Sequence, residues 1–295
     1  MITRRQFTIT AALSAAATAA VPRRALADIS TAAAFTRDID AMEKESGGRF
    51  GVYALEPVTG LTLSNRPNER FPMCSTFKFL AAAAILARVD QGKESLSRVV
   101  HYTKEELFTY APVTTAHVED GLSLAEICAA AVTMSDNTAA NLMLAALDGP
   151  AGVTAFCRTI GDNVTRLDRT ELSLNTCIPG DPRDTSSPAA IATNLRTLVT
   201  GNALSPDSRK QLTQWLLDCK TGDTRLRAAV PSTWRVGDKT GTGSRNTAND
   251  AAVLWPPSGP PIFAAVYLTD THLTPDALNA AIAAIGKRIM AALGR

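Results

Sequence analysis

Ser75-Thr76-Phe77-Lys78 places a hydroxyl and an amine three residues apart in the chain. In a helix, these two side chains lie on one face, one turn apart. A weak nucleophile then has a potential base within hydrogen-bond reach. About half of all chains of this length contain such a pattern by chance, so its meaning depends on the rest of the sequence.

The patterns around this stretch predict a helix, two strands, a long helical middle, three strands and a final helix. An amphipathic helix is predicted over 31–45, and 75–220 is mostly helical, with a capping box at Ser123 and Glu126. Thr274 and Pro275 predict the start of the last helix, which ends near residue 293. The strand-like segments, separated by turn residues that include 246–249, are 49–55, 61–64, 234–239, 250–255 and 262–268.

These elements predict an α+β fold with two lobes. Strands from both ends of the chain form one antiparallel five-stranded sheet flanked by helices, so residues 28–66 and 221–295 are assigned to an α/β lobe. Residues 67–220 are predicted to form an inserted, all-helical lobe. We expect the active site in the cleft between the lobes.

The N-terminus has the features of a bacterial export signal. Thr3-Arg4-Arg5-Gln6-Phe7 is a twin-arginine pattern, an apolar run follows over 9–21, and Ala25-Leu26-Ala27 offers a cleavage site. We therefore predict a Tat-type signal peptide over 1–27, a mature domain over 28–295, a periplasmic location in a Gram-negative bacterium, and no membrane attachment after cleavage. The alternative is a retained anchor, for which the apolar run is short.

Net charge gives no indication of a nucleic-acid partner. The whole chain has a formal charge of +2, but the leader contains four arginines and no acidic residue. Its removal leaves 26 basic against 28 acidic residues, or a net charge of −2. The composition is that of a soluble globular enzyme, and we expect a monomer.

The cysteines and histidines show no metal-site spacing. His101, His117 and His272 are scattered, so neither a metal nor a Ser-His triad is predicted, and no cofactor motif occurs. Five cysteines in an exported protein leave at least one unpaired. Buried thiols are the simplest interpretation, although the sequence does not exclude a disulfide.

Two further polar tripeptides are not explained by the helical and strand patterns. Ser135-Asp136-Asn137 follows an apolar helix end, where it could present side chains to a cleft or simply begin the next helix with Ser135 as N-cap. Lys239-Thr240-Gly241 is predicted at a strand end, where a lysine and a hydroxyl suit an anion and Gly241 allows a ligand close to the backbone. The alternative is a solvated strand end.

The three motifs together, in this order, resemble those of penicillin-binding proteins and class A β-lactamases. The segment from Arg169 to Asp184 looks like the Ω-loop of class A β-lactamases, whose matching arginine and aspartate pair at the neck of the loop. Glu171 and Asn175 match the residues that hold the hydrolytic water. The chain therefore resembles a class A serine β-lactamase over most of 28–295.

The resemblance implies a serine acyl-enzyme. Ser75 is the nucleophile, and its proton is taken by Lys78 or by Glu171 acting through water, an alternative that the sequence leaves open. The backbone N–H groups of Ser75 and Thr242 stabilise the oxyanion. Ser135 relays a proton to the leaving nitrogen, and Glu171 activates the water for deacylation.

Substrate binding is expected to depend on the opposite wall of the cleft. The resemblance implies that the carboxylate of a small β-lactam lies near Lys239, Thr240, Gly241 and Thr242. An arginine that many class A enzymes place after this motif is replaced by Ala248, and Arg225 is predicted to substitute for it with a bidentate contact. The remaining candidate contacts are Asn137, Asn175 and, at the cleft edge, Tyr110.

Two other functions share the first three motifs. A D-alanyl-D-alanine carboxypeptidase cleaves a peptide, and a penicillin sensor stays acylated. Glu171 and its loop favour turnover of β-lactams, and hence antibiotic resistance, over either alternative.

Two disulfides of related enzymes are not expected here. Cys74 resembles a cysteine that serine carbapenemases bridge to a position just after K-T-G, which is Gly243 in this chain. Cys128 matches half of another bridge, whose partner position near Ala82 is not a cysteine. We predict that neither of these two disulfides forms.

Overall fold

A computed structural model describes residues 23–295 of the chain. The predicted twin-arginine motif and apolar run lie outside the described residues. The helices are α1 (Arg23–Ser46), α2 (Phe77–Asp90), α3 (Leu124–Thr133), α4 (Asn137–Ala146), α5 (Pro150–Thr159), α6 (Pro188–Thr200), α7 (Pro206–Leu217) and α8 (Pro275–Ala292).

The main sheet confirms the predicted α+β class. Its five strands lie in the order β2-β1-β5-β4-β3, and every neighbouring pair is antiparallel. Two strands come from the start of the chain and three from its end, so the helical middle is inserted between them. The strands are β1 (Arg49–Leu55), β2 (Thr62–Asn65), β3 (Arg235–Gly243), β4 (Thr247–Trp255) and β5 (Ile262–Thr269).

The central strand β5 is buried on both faces because helices cover both sides of the sheet. All eight of its residues are buried, and side chains alternate between faces in a strand. Phe263 and Tyr267 pack into the core of the helical lobe. Val266 packs into a second core with Ile282 and Ile285 of α8. The continuous apolar run of this strand is explained by these two cores.

Predicted helix caps are present at two starts. The side chains of Ser123 and Glu126 form the capping box of α3, each bonding the backbone N–H of the other. Thr274 accepts a hydrogen bond from Ala277 N at the start of α8, with Pro275 as its first residue. Both confirm the sequence pattern, because each cap satisfies N–H groups that lack an intrahelical acceptor.

Several predicted boundaries were wrong. Helix α1 begins at Arg23 rather than at residue 31, since residues 23–31 contain neither Gly nor Pro to stop a helix. Strand β3 continues to Gly243, and β4 already begins at Thr247 within the segment predicted as a turn. Backbone pairing such as Thr242 with Ala248 extends both strands beyond what local propensity indicates.

Shorter elements connect these parts. Two-residue strands pair Phe71–Pro72 with Thr185–Ser186, and Val99–Val100 with Leu122–Ser123. The 3₁₀ turns are Cys74–Thr76, Lys104–Glu106, Thr114–His117, Ser173–Thr176 and Leu226–Ala229.

Over residues 23–295, no single helix is long and apolar enough to cross a membrane. The bent pair α4 and α5 passes that test by length and composition. Its apolar residues, such as Met143 and Val153, are buried in the core of the helical lobe.

Candidate active site

A cavity of about 390 Å³ lies between the edge strand β3 and the helical lobe. Nine of the residues singled out in the sequence line it: Ser75, Tyr110, Ser135, Asn137, Asn175, Arg225, Thr240, Gly241 and Thr242. Lys78, Glu171 and Lys239 are buried directly beneath. The structure therefore brings together all twelve predicted site residues.

Ser75 lies in the 3₁₀ turn Cys74–Thr76 that leads into α2. Its Oγ donates a hydrogen bond to Glu171 Oε1 at 3.2 Å. The turn is fixed from the sheet, because Asn249 Nδ2 of β4 donates to the carbonyl oxygen of Met73 at 3.1 Å. Close packing against Gly241 adds to this: a Cβ at Gly241 would come within 2.7 Å of the same carbonyl oxygen. Ser75, the predicted nucleophile, is thus held against strand β3, and only glycine fits opposite it at position 241.

Lys78 is fully buried, one turn along α2 from Ser75. Its Nζ lies 2.8 Å from Asn137 Oδ1, 2.8 Å from the carbonyl oxygen of Ser135, and 3.0 Å from Glu171 Oε1. Burial lowers the pKa of Lys78, and the negative charge of Glu171 opposes that shift. Ser75 and Lys78 therefore contact the same carboxylate oxygen, which groups the predicted nucleophile with its two candidate bases.

Ser135 connects the two lysines of the site. Its Oγ lies 3.0 Å from Lys239 Nζ and 3.5 Å from Lys78 Nζ. The alternative that Ser135 caps the next helix is wrong, because Asp136 caps α4 by accepting from Ala139 N. Ser135 has a φ of +58°, a left-handed conformation uncommon outside glycine. Its hydroxyl is consequently available to the cavity rather than to a helix end.

Lys239 lies within β3 rather than at a strand end, which corrects the sequence prediction. The side chain is fully buried, and its Nζ also donates to the carbonyl oxygen of Thr240 at 2.8 Å. Burial lowers the pKa of Lys239 to about 8, and the nearby charge of Lys78 adds to the shift. The alternative of a solvated strand end is wrong, because the side chain is buried and its Nζ is bonded to Ser135 and to the Thr240 carbonyl oxygen.

The segment from Arg169 to Asp184 is closed at its neck. Arg169 Nε lies 2.5 Å from Asp184 Oδ2, and Asp184 Oδ1 also accepts from Arg169 N at 2.9 Å. Within the loop, Asn175 Nδ2 donates to Glu171 Oε2 at 2.6 Å. Glu171 is only 2% exposed, so its carboxylate contacts protein groups almost exclusively. The loop thus holds the buried carboxylate of Glu171 within hydrogen-bond distance of Ser75.

Asn141 is a residue that the sequence analysis missed. Its Oδ1 accepts from Glu171 N at 2.9 Å, and its Nδ2 donates to the carbonyl oxygen of Glu171 at 3.0 Å. Both backbone groups of Glu171 are therefore held by α4. A signal was present: Asn141 follows Asn137 by four residues, on the same face of a largely apolar helix.

Arg225 is buried, with 7% of its surface exposed. Nη1 donates to the carbonyl oxygens of Gly241 and Asn249, at 2.9 and 2.6 Å. Nε donates to Asn279 Oδ1 at 2.8 Å, and Nη2 to Thr242 Oγ1 at 2.8 Å. Four of its five N–H groups are engaged, so the predicted bidentate contact is wrong, and a single N–H remains. A solvated arginine at a helix end is equally excluded.

Tyr110 and Asn137 form the rim and floor on the helical side. Tyr110 is 55% exposed, and its carbonyl oxygen accepts from Asn137 N at 3.1 Å. Asn137 Nδ2 donates to the carbonyl oxygen of Thr109 at 2.8 Å. The amide of Asn137 thus links Lys78 to the segment that carries Tyr110, which explains how a buried asparagine is satisfied.

Residues 34–293 match the model of the β-lactamase enzyme family. The structure is similar to the last common ancestor of Gram-negative bacteria β-lactamase class A, with 59% sequence identity, 88% of this chain and 99% of that chain covered, and a TM-score of 0.87. A further structure, of an ancestral class A β-lactamase, has 58% sequence identity and a TM-score of 0.86. The match covers 88% of this chain and 99% of that chain. PenP from Rhodopseudomonas palustris, a protein assigned to class A β-lactamases, has 54% sequence identity and a TM-score of 0.86. The match covers 88% of this chain and 99% of that chain.

Proposed function

The chain belongs to the β-lactamase enzyme family as a serine enzyme of class A, and we propose that it hydrolyses penicillins and cephalosporins through an acyl-enzyme on Ser75. One observation carries the proposal. The carboxylate oxygen Glu171 Oε1 lies 3.2 Å from Ser75 Oγ and 3.0 Å from Lys78 Nζ in a buried site. A hydroxyl and an amine that both contact one carboxylate oxygen supply the groups needed to form an ester and to hydrolyse it.

Acylation begins when Ser75 attacks the strained amide carbonyl while its proton passes to a base. Glu171 accepts the Ser75 hydrogen bond, and Lys78 contacts the same oxygen, so either group can receive the proton. The oxyanion forms at the edge strand β3, whose N–H groups on the unpaired side face the cleft. We assign the donors as the N–H groups of Ser75 and Thr242. Ser135 then passes a proton to the leaving nitrogen.

Deacylation requires a water molecule beside the ester. Glu171 is the base for that water, since its Oε2 is held by Asn175 and its backbone by Asn141. The Oδ1 atom of Asn175 is buried and has no hydrogen-bond partner within residues 23–295. An acceptor in that position can orient the O–H of the attacking water. Turnover, rather than a stable acyl-enzyme, follows from this arrangement.

Mixing the protein with benzylpenicillin tests the proposal. We expect steady ring opening, seen by loss of absorbance, with Ser75→Ala inactive and mass spectrometry of quenched wild-type samples detecting a transient ester on the Ser75 peptide. A stable ester without hydrolysis would instead identify a penicillin sensor. Rapid D-alanine release from a muropeptide, without penicillin turnover, would identify a carboxypeptidase.

Export is a separate part of the proposal. We infer that residues 1–27 are removed on Tat-dependent export, that residues 28–295 act as a periplasmic monomer, and that they confer β-lactam resistance. Replacing Arg4 and Arg5 by Lys should abolish resistance of a susceptible Gram-negative host while leaving the specific activity of its cytoplasmic extract intact. Resistance unchanged by this substitution would contradict Tat export. Size-exclusion chromatography with light scattering tests the monomer.

The pH dependence of penicillin turnover should report Lys239. Its pKa of about 8 means that the ammonium is charged below pH 8 and neutral above it. Because a cation here attracts the substrate carboxylate, kcat/KM should fall as pH rises through about 8, mainly through KM. Lys239→Arg, which remains charged, should move the decline to higher pH. A wild-type kcat/KM that stays flat from about pH 7 to about pH 9.5 would contradict this assignment.

Arg225→Ala should raise the KM for penicillins roughly tenfold, the effect of losing about one charge-assisted hydrogen bond. The substitution removes the remaining Nη2 N–H and releases Thr242 Oγ1, which Arg225 holds at 2.8 Å. Arg235→Ala, at an exposed position where β3 begins, is the matched control and should leave KM unchanged. An unchanged KM in a folded Arg225→Ala protein would reject a role in binding.

A further inference from the structure

Two cysteines far apart in sequence meet beneath the active site. Cys74 Sγ and Cys177 Sγ lie 3.7 Å apart, and the two residues are separated by 103 positions. Cys74 immediately precedes Ser75, and Cys177 directly follows the 3₁₀ turn Ser173–Thr176 that contains Asn175. The pair thus joins the turn of the nucleophile to the loop of the deacylating carboxylate.

Gly243 provides the space for this pair. A Cβ at Gly243 would lie 2.6 Å from Cys74 Sγ and 2.7 Å from Cys177 Sγ, closer than real Cβ contacts. Any side chain on Gly243 would therefore displace one of the two sulfur atoms. The sulfur of Cys177 therefore occupies the space beside Cys74 that a side chain at position 243 of β3 would otherwise fill.

The two thiols differ in reactivity. The hydrogen bond from Cys74 lowers the pKa of Cys177 and raises the pKa of Cys74. Cys177 is largely buried but lines a second cavity of about 270 Å³, together with Arg70 and Ile178. A small disulfide in that cavity would meet Cys177 first, because Cys177 lines the cavity and Cys74 does not, and the lowered pKa of Cys177 gives it the larger thiolate fraction.

We propose that Cys74 and Cys177 form a disulfide bond when the protein meets an oxidising compartment, and that this bond fastens the Arg169–Asp184 loop to the turn of Ser75. The Cys177 thiolate attacks a low-molecular-weight or protein disulfide, which leaves one thiol and a mixed disulfide on Cys177. Cys74 then attacks the Cys177 sulfur of the mixed disulfide, and its proton passes to the departing sulfur, which leaves as the second thiol. Two protein thiols are oxidised, one external disulfide is reduced to two thiols, and the sulfur atoms close from 3.7 Å to about 2.05 Å.

This bond differs from both disulfides considered from the sequence, because its partner is on the loop rather than on β3 or α2. It closes a long covalent ring, which restricts the unfolded chain strongly. It also opposes outward movement of the loop that carries Glu171. Oxidation of the two thiols is measured without substrate, so its outcome is independent of the proposed hydrolysis.

Thiol counting after treatment with oxidised glutathione tests the proposal. The reduced protein, denatured and alkylated, should take up five labels, and the oxidised protein three. Peptide mapping should link the Cys74 peptide to the Cys177 peptide. The oxidised protein should melt at least about 5 °C above the reduced protein.

Cysteine variants provide the controls. Cys177→Ala should take up four labels under both conditions and show no redox-dependent melting shift. Cys128→Ala, which removes a buried thiol of α3, should still lose two labels and keep the shift. Five labels after oxidation, a glutathione adduct without an internal bond, or a bridge between other cysteines would each overturn the proposal.

Discussion

Glu171→Gln is expected to convert the enzyme into one that stops after a single acylation. The amide keeps the size of the carboxylate and can still accept from Ser75, but it cannot take a proton from water. We expect kcat for benzylpenicillin to fall roughly 10³-fold, the typical contribution of general base catalysis. Mass spectrometry should show one intact penicillin bound covalently to the Ser75 peptide while most of the substrate remains unconsumed.

Stopped-flow kinetics on the same variant separates the two candidate acylation bases. If Lys78 takes the Ser75 proton, the rate of acyl-enzyme formation should stay within about tenfold of wild type while only deacylation fails. If Glu171 takes it, both steps should slow together. Glu119→Gln, an exposed acid outside the cavity, is the control and should behave as wild type. Steady turnover by Glu171→Gln without acyl-enzyme would contradict its role in deacylation.

The sequence predicted which residues meet but not how they are held. The local pattern of Ser75 and Lys78 follows from helix geometry alone. The approach of Ser135 and Lys239 depends on contacts between residues 104 positions apart, and only the resemblance of the three motifs predicted it. Local propensity contains no information about such a contact.

Arg225 shows why burial of a charged group is hard to predict from sequence. A guanidinium between polar residues normally lies in solvent. Here its acceptors come from Gly241, Asn249 and Asn279, which are 16, 24 and 54 positions away. The same pairing that extends β3 and β4 past their predicted ends brings two of these carbonyl oxygens together. Because β3 and β4 were predicted too short, the carbonyl oxygens that hold Arg225 were not foreseen, and Arg225 was expected to be free to bind the substrate.

The cysteines illustrate a limit of reasoning by resemblance. In the serine carbapenemases that the sequence resembles, the partner of Cys74 would stand at the position of Gly243. The structure instead places Cys177 beside Cys74, because the loop folds back over the strand that carries Gly243. Only the three-dimensional path of the loop shows that the sulfur of Cys177 lies where a side chain at position 243 would otherwise meet Cys74.

Lys78→Met is expected to reduce acylation by roughly 10³-fold or more. The substitution removes one candidate base and disables the other, because Lys78 is the cation within 3.0 Å of the buried Glu171 carboxylate. Without that cation, the buried Glu171 carboxylate loses the counter-charge that stabilises the charged form, which is the form that can accept a proton. Single-turnover measurements with a chromogenic cephalosporin should show this loss in the acylation step. An acylation rate within about tenfold of wild type would contradict it.

The same variant should be less stable by about 3–5 kcal/mol, because the buried Glu171 carboxylate loses its ion-pair partner. Denaturant unfolding measures this cost, and the double variant Lys78→Met, Glu171→Gln provides the matched control. Replacing both members of the pair with neutral groups should restore most of the stability without restoring activity. A double variant that is less stable than Lys78→Met would show that the buried ion pair does not account for the loss. Recovered stability with absent acylation would separate the chemical role of Lys78 from its structural role.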